Sequence, residues 1–225
     1  MRVALYSAQY GSYDWVKPIP RLEGDVPAIM YTDNRDLVAP GWEVRYEPHG
    51  IATLNGDARI TAPMLAHKYW KCHPHLAVPW ADVTMWIDGS MEIVVDNYVS
   101  RCLEALNQDE WACVKHPART CIYPEADFSA TLTYRYDAPS ILKQAAFYRS
   151  IGHPAGFGLI ATGANVRRHT DTVIEVAEQW WQENLNWSHQ DQLSLPVLFH
   201  LHPELKWNMN LPWHTWWNLY PHGTK

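Results

Sequence analysis

The run Val83-Thr84-Met85-Trp86-Ile87 is apolar and β-prone, and it passes directly into Asp88-Gly89-Ser90. A short run of this kind reads as a buried strand. Its abrupt end on a carboxylate and a turn delivers an acid to the end of a sheet. Comparable runs occur at Val3 to Ala8, Ala28 to Thr32, Trp42 to Tyr46, Trp111 to Lys115 and Gly158 to Thr162, with a shorter one at Glu92 to Val95. Between them lie segments that read as helices. Ala62 to Cys72 tolerates Pro63 in its first turn, and Asn97 to Leu106 follows. Ile122 to Ser150 divides into two helices near Asp137-Ala138-Pro139. The clearest helix spans Thr170 to Asn184, with Thr170 as N-cap and Val173, Ile174, Val176, Ala177 and Trp180 as apolar positions. Asp191 to Phe199 reads as a last short helix limited by Pro196, and the tail from His200 as mostly irregular.

Strands alternating with helices imply an α/β fold, a three-layer sandwich with a mostly parallel central sheet. Ligands of such sheets bind outside the carboxyl ends of the strands. That rule gathers Ser7-Ala8-Gln9, Thr32-Asp33 and Asp88 near one crevice. The 225 residues suit a single domain over 1–225, with 200–225 a Trp- and His-rich tail and no repeat or linker.

Charge and composition narrow the function. The formal net charge of −6 argues against a general nucleic-acid-binding surface, so no stable nucleic-acid partner is expected. Cys72, Cys102, Cys113 and Cys121 form no Cys-x-x-Cys pair, which speaks against a zinc or thioredoxin motif and for a reduced, cytoplasmic setting. No signal peptide is expected, since the apolar run in Met1-Arg2-Val3-Ala4-Leu5-Tyr6 is short and a polar stretch follows, and no membrane span, since no apolar run reaches the roughly 18 residues that a spanning helix needs. Thirteen Trp residues are present, and Trp207, Trp213, Trp216 and Trp217 crowd the tail. Such rings either pack the tail onto the domain or offer a stacking surface for sugar rings.

Three constellations can carry chemistry. Asp88 either caps the Gly89-Ser90 turn or holds a divalent cation that bridges a diphosphate; hard oxygen ligands suit Mg²⁺ or Mn²⁺. Upstream, Arg59 stands before Lys68 and Lys71, which share a helix face. These are either a solvated basic face or contacts to phosphate. In Ser188-His189-Gln190-Asp191-Gln192, Asp191 either caps the following helix or faces an acceptor hydroxyl. Glu125 is a second acid, and either carboxylate fits general-base chemistry. His73 and His75, flanking Pro74, read as surface residues, and His222 as a late metal or phosphate contact. No Gly-x-Gly-x-x-Gly, P-loop, Gly-x-Ser-x-Gly or His-Glu-x-x-His occurs.

Read in order, Tyr10-Gly11-Ser12-Tyr13-Asp14, Tyr31-Thr32-Asp33, Arg59 with Lys68 and Lys71, Trp86-Ile87-Asp88-Gly89-Ser90, Lys115-His116-Pro117-Ala118-Arg119, Glu125-Ala126 and Asp191-Gln192-Leu193-Ser194 form a succession. It resembles the glycosyltransferase-like family long labelled domain of unknown function 616 and, more broadly, the GT-A glycosyltransferase superfamily. The resemblance implies a GT-A fold, a nucleoside-diphosphate sugar donor and a divalent cation. By position, Asp88 matches the first acid of an Asp-x-Asp metal motif whose third position is here Ser90, with Glu92 nearby in reserve. The resemblance implies that Ser7, Tyr13 and Asp33 line the nucleoside pocket and that Arg59 and Lys68 face the diphosphate. It sets Asp191 near the donor sugar or acceptor and His222 at a late metal-binding position.

The expected activity is transfer of a sugar from a nucleoside-diphosphate sugar to a hydroxyl acceptor, a glycan or another alcohol, with Mn²⁺ or Mg²⁺. Two rivals are a non-catalytic carbohydrate-binding module built on the Trp-rich tail and an enzyme that attaches sugar to DNA bases. The acidic net charge weighs against the second.

Overall fold

The computed structural model describes residues 1–48 and 62–220. Its centre is a seven-stranded sheet. In chain order the strands are β1 (Val3–Gln9), β2 (Ala28–Thr32), β3 (Glu43–Tyr46), β4 (Val83–Ile87), β6 (Trp111–Lys115), β7 (Ile160–Arg168) and β8 (Trp207–Leu211), arranged β3-β2-β1-β4-β7-β6-β8. β7 runs antiparallel to both its neighbours, and the remaining four strand pairs are parallel. A small antiparallel pair, β5 (Met91–Ile93) with β9 (Trp217–Leu219), adjoins it.

Side-chain alternation builds the layers, because successive strand residues point to opposite faces. Val83, Met85 and Ile87 of β4 and Ala112 and Val114 of β6 join Leu5 in one core, covered by α3 (Tyr98–Leu106). On the other face, Trp111 and Cys113 meet α1 (Ala62–Cys72), α6 (Asp171–Asn186) and α7 (Asp191–Leu201). Ala4, Tyr6, Ala8 and Trp86 pack there against Ala66 of α1 and Ala77 of the short α2 (Pro74–Ala77). Fully burying a residue such as Leu5 or Ile29 contributes roughly 1.5–3 kcal/mol. The helices α4 (Ile122–Thr131) and α5 (Ala138–Ser150) share a further core with Leu193 and Val197 of α7. This is the GT-A-like three-layer sandwich with a mostly parallel central sheet.

Helix ends follow local chemistry. The Thr170 side chain accepts from the Val173 amide at 3.3 Å and starts α6, and Asp137 accepts from the Ser140 amide at 2.9 Å and starts α5.

Three sequence expectations need correction. The tail is not irregular: β8 pairs with β6 at the sheet edge and β9 with β5. Trp217 is fully buried, and Trp207 packs against Phe199 with ring centroids 4.7 Å apart, so the aromatic density of the tail is largely core. β7 runs on to Arg168 because it pairs along its length with β4 and β6, which draws its polar residues inside. Asn165 accepts from the Trp111 indole at 2.9 Å, and the Arg167 guanidinium lies 5.0 Å from the Trp111 ring and donates to Tyr6. His73 is buried rather than superficial, with its ring against Tyr69 O and the Glu178 carboxylate.

Candidate active site

β4 is central in the sheet, and its carboxyl end releases Asp88 into a cavity of about 630 Å³. That size lies within the roughly 300–1,000 Å³ usual for small-molecule sites. The Met91 amide donates to Asp88 O at 3.0 Å, so the main chain closes the Gly89-Ser90 turn and the carboxylate remains available. Asp88 Oδ1 accepts from the Trp86 indole at 2.8 Å and from Lys71 Nζ at 3.1 Å. His67 spans two strand ends, with Nδ1 2.9 Å from Ala8 O and Nε2 3.6 Å from Asp88 Oδ1. Gly163 of β7 packs against this acid; a Cβ there would lie 3.5 Å from Asp88 Oδ2.

Asp191 is the first residue of α7, and its carboxylate does not cap that helix. It receives Lys68, Lys71 Nζ at 3.0 Å and the Thr162 hydroxyl at 2.9 Å. The Trp180 indole donates to its main-chain carbonyl at 3.2 Å. Lys71 is 1% exposed and lies 5.9 Å from the centroids of both the Trp86 and Trp180 rings. Cations within about 6 Å of an indole face are attracted to it. Two lysines and two aspartates thus form a charge-balanced network at the cavity floor, with Lys71 behind the lining.

Each acid is held ionised. Burial alone would raise the Asp88 carboxyl, but Lys71, the His67 contact and Lys68 outweigh it and hold it well below the usual carboxylate range. For Asp191, burial is likewise outweighed by Lys68 and Lys71. Burial disfavours the Lys71 ammonium, yet Asp191 and Asp88 raise it. A buried pair is tolerated when its remaining hydrogen-bonding capacity is met; Thr162 meets it at Asp191 Oδ1 and the Trp86 indole at Asp88 Oδ1.

A second polar group lines the same cavity. Glu125 of α4 receives Arg119 on Oε2, and on Oε1 the Ser129 hydroxyl at 3.2 Å and Gln190 Nε2 at 3.0 Å. The Arg119 guanidinium lies 4.2 Å from the Phe128 ring, and His116 faces Trp213 with ring centroids 6.4 Å apart. Phe128 and Trp213 are exposed in the same lining.

Of the residues that the sequence singled out, Tyr13, Lys68, Asp88, Glu125 and Asp191 line this one cavity. Ser7 does not. It is buried within the sheet, where its hydroxyl donates to Ile87 O at 2.7 Å and ties β1 to β4. Asp33 also lies outside the lining; both its oxygens accept from the Gly11 amide at 3.1 Å and brace the turn that follows β1. Glu92 is engaged at the surface by Tyr220 and Asn218. Arg59 and His222 lie outside the described residues. Sequence reading undervalued Lys71 and missed His67 and Thr162. The spacing of His67 and Lys71, four apart on a helix, was a usable signal.

For a divalent cation, the described residues offer little. Among them no three His, Cys, Asp or Glu residues come together to hold an ion. Asp191 is enclosed by lysines, and Asp88 keeps only Oδ2 without a hydrogen-bond partner among those residues. One carboxylate fits an ion held mainly by substrate phosphates, as Mg²⁺ commonly is; it does not make a site by itself.

Among the described residues no helix is long and apolar enough to cross a membrane. The chain is similar to several solved glycosyltransferase structures. WbbM, a bifunctional glycosyltransferase in its apo form, shares 10% identity at a TM-score of 0.50, over 92% of this chain and 38% of that one. Mouse xyloside xylosyltransferase 1, also apo, shares 9% identity at a TM-score of 0.49, over 92% and 83%. At such identity the likeness bears on the fold alone. Comparison with curated protein sequences finds no match. A profile of the TOD1/MUCI70 glycosyltransferase-like domain matches residues 61–215, a span that holds Lys68, Lys71, Asp88, Glu125 and Asp191. The chain belongs to the TOD1/MUCI70 glycosyltransferase-like domain family.

Proposed function

We propose that this glycosyltransferase takes its sugar from a nucleoside-diphosphate donor and passes it to a hydroxyl acceptor, both bound in the cavity above Asp88. One observation carries this reading: an ionised acid at the carboxyl end of the central strand shares a single ammonium with a second acid, Asp191, at the floor of a cavity of nucleotide-sugar size.

Departure of a nucleoside diphosphate places negative charge on its phosphates. Preorganised positive groups in a site sheltered from water stabilise that charge without reorganising. Lys68 lines the cavity and is held by Asp191, so its ammonium is oriented before the donor arrives. Tyr13, half exposed at the cavity mouth, is suited to cover the nucleoside. If a divalent cation binds, Asp88 Oδ2 would hold it together with the donor phosphates, and it would supply further positive charge there.

Asp191 is a poor proton acceptor. Its oxygens are engaged by Lys68, Lys71 and Thr162, and its pKa is depressed, whereas an efficient base titrates near the working pH. Its role in this reading is to position the two lysines. Glu125, engaged by Arg119, Ser129 and Gln190, shapes the acceptor wall with Phe128 and Trp213.

The test is a thermal-shift screen of nucleoside diphosphates and their sugars, with and without Mn²⁺, followed by donor hydrolysis on any hit. A ligand of the native state raises the melting temperature by mass action. A melting shift with slow release of the nucleoside diphosphate is expected. A chain that binds free sugars and no nucleotide would be a carbohydrate-binding module instead.

A further inference from the structure

Among the described residues, three Lys or Arg side chains line the cavity: Lys68, Arg119 and Arg135. Two are neutralised by cavity carboxylates, Lys68 by Asp191 and Arg119 by Glu125. Arg135 forms no ion pair among the described residues, and its buried Nε has no hydrogen-bond partner.

The residue lies in the turn between α4 and α5. That turn is braced by the main chain: the amides of Arg135 and Tyr136 both donate to Leu132 O, at 2.8 and 3.0 Å. The guanidinium lies over the Tyr136 ring, 5.2 Å from its centroid. Tyr136 is itself buried and donates to Gln190 Oε1 at 3.3 Å. The side chain is thus seated on a fixed aromatic platform beside the residue that precedes Asp191. Burial disfavours its charge, but the surrounding acidic groups, Tyr136, Tyr13, Asp191 and Asp88, more than offset this.

A buried donor without an acceptor is costly. The side chain as a whole is only partly buried, and the cavity it lines is where a ligand can supply acceptors to the rest of the guanidinium. The ligand must be anionic, because the cation has no counter-ion of its own. It must also offer several oxygens in a plane, because a guanidinium is a fork of parallel donors. We propose that Arg135 is the cation that grips the donor's diphosphate in the cavity that Asp88 also lines. This rests on the nucleotide-sugar reading of the cavity and adds to it the residue that fixes the phosphates. Lys68 and Lys71 are already balanced by Asp88 and Asp191, so among the described Lys and Arg residues Arg135 is the uncommitted positive charge that the site presents to an incoming anion.

The experiment is isothermal titration of wild type, Arg135→Gln and Arg135→Lys with uridine, guanosine, adenosine and cytidine diphosphates, the matching nucleosides, and glucuronate. In Arg135→Gln, affinity for the preferred diphosphate should fall roughly 10–100-fold, the range expected for a charge-assisted hydrogen bond. Nucleoside affinity should hold, and the unliganded variant should melt no lower than wild type. Arg135→Lys should recover only part of the loss, since a point charge replaces the fork. Unchanged diphosphate affinity in Arg135→Gln overturns this assignment and leaves the proposed function standing. Selective loss of glucuronate binding also overturns it and moves Arg135 to an acidic acceptor. Wild type that binds no diphosphate overturns the proposed function itself, and the assignment with it.

Discussion

The Lys71 ammonium stands 3.0 Å from the Asp191 carboxylate, joining the last turn of α1 to the first residue of α7. Each charge sits at the helix end whose dipole favours it, positive at a C-terminus and negative at an N-terminus. Both are almost fully buried, so the contact is screened little by salt.

Removal of that ammonium should be severe. Lys71→Met removes the ammonium shared by Asp88 and Asp191 and leaves Lys68 and the His67 contact to compensate. Breaking a buried pair by deleting one partner typically costs about 3–5 kcal/mol. Urea denaturation at neutral pH should show a loss of that order. A loss below about 1 kcal/mol would mean that the network behaves like an exposed one.

Acid stability should report the same carboxylates. Asp88 and Asp191 have folded-state pKa values below their unfolded ones. The unfolded chain therefore binds more protons in that window, and stability rises with pH across it. The contribution is complete above about pH 5 and is lost as pH falls through the folded-state values. Urea midpoints measured from acid to neutral pH should climb for wild type and climb less for Asp191→Asn. Equal slopes in the two proteins would show that Asp191 is not depressed.

Turnover should separate positioning from binding. Asp191→Asn keeps the size of the side chain but weakens its hold on Lys68 and Lys71. The expected result is a kcat lower by roughly 10²-fold, similar to the loss of one electrostatic donor, with the donor KM little changed. Near-normal kcat would remove Asp191 from the mechanism. A rise in KM alone would make it a donor-binding residue.

A control lies outside the cavity. Thr170 caps α6 and also donates to Glu110 at 2.7 Å. Thr170→Ala should cost about 0.5–2 kcal/mol, read by urea denaturation, and leave activity per folded molecule unchanged.

The aromatic wall can be tested through the acceptor. Trp213 lines the cavity and stays exposed, while its main-chain carbonyl accepts from the Trp217 indole at 2.7 Å. Trp213→Ala leaves that carbonyl in place. It should raise the acceptor KM several-fold with the donor KM unchanged, and equal effects on both would assign the ring to general packing.

The sequence alone determined the local elements and their order. Val83 to Ile87 reads as a strand and Ala62 to Cys72 as a helix because apolar spacing is a property of neighbours, and the observed bounds are the same. Asp88 was legible for that reason: a strand that stops at an acid must present it at the sheet's end. What lies far apart in sequence was not legible. Lys68 meets Asp191 across 123 positions, and only the packing of α1 against α6 and α7 decides that they touch. The pairing of β1 with β4 likewise set the Ser7 hydroxyl against Ile87, and Asp33 braces Gly11, although both sit near strand ends where a ligand contact was expected. The tail misled because Trp-, Pro- and His-rich segments carry no clear period, and β8 becomes a strand only by pairing with β6, an edge made nearly a hundred residues earlier. Periodicity is set by the chain's own geometry, whereas the choice of partner for a buried charge is set by which surfaces exclude water together, and that is known only once the layers have closed.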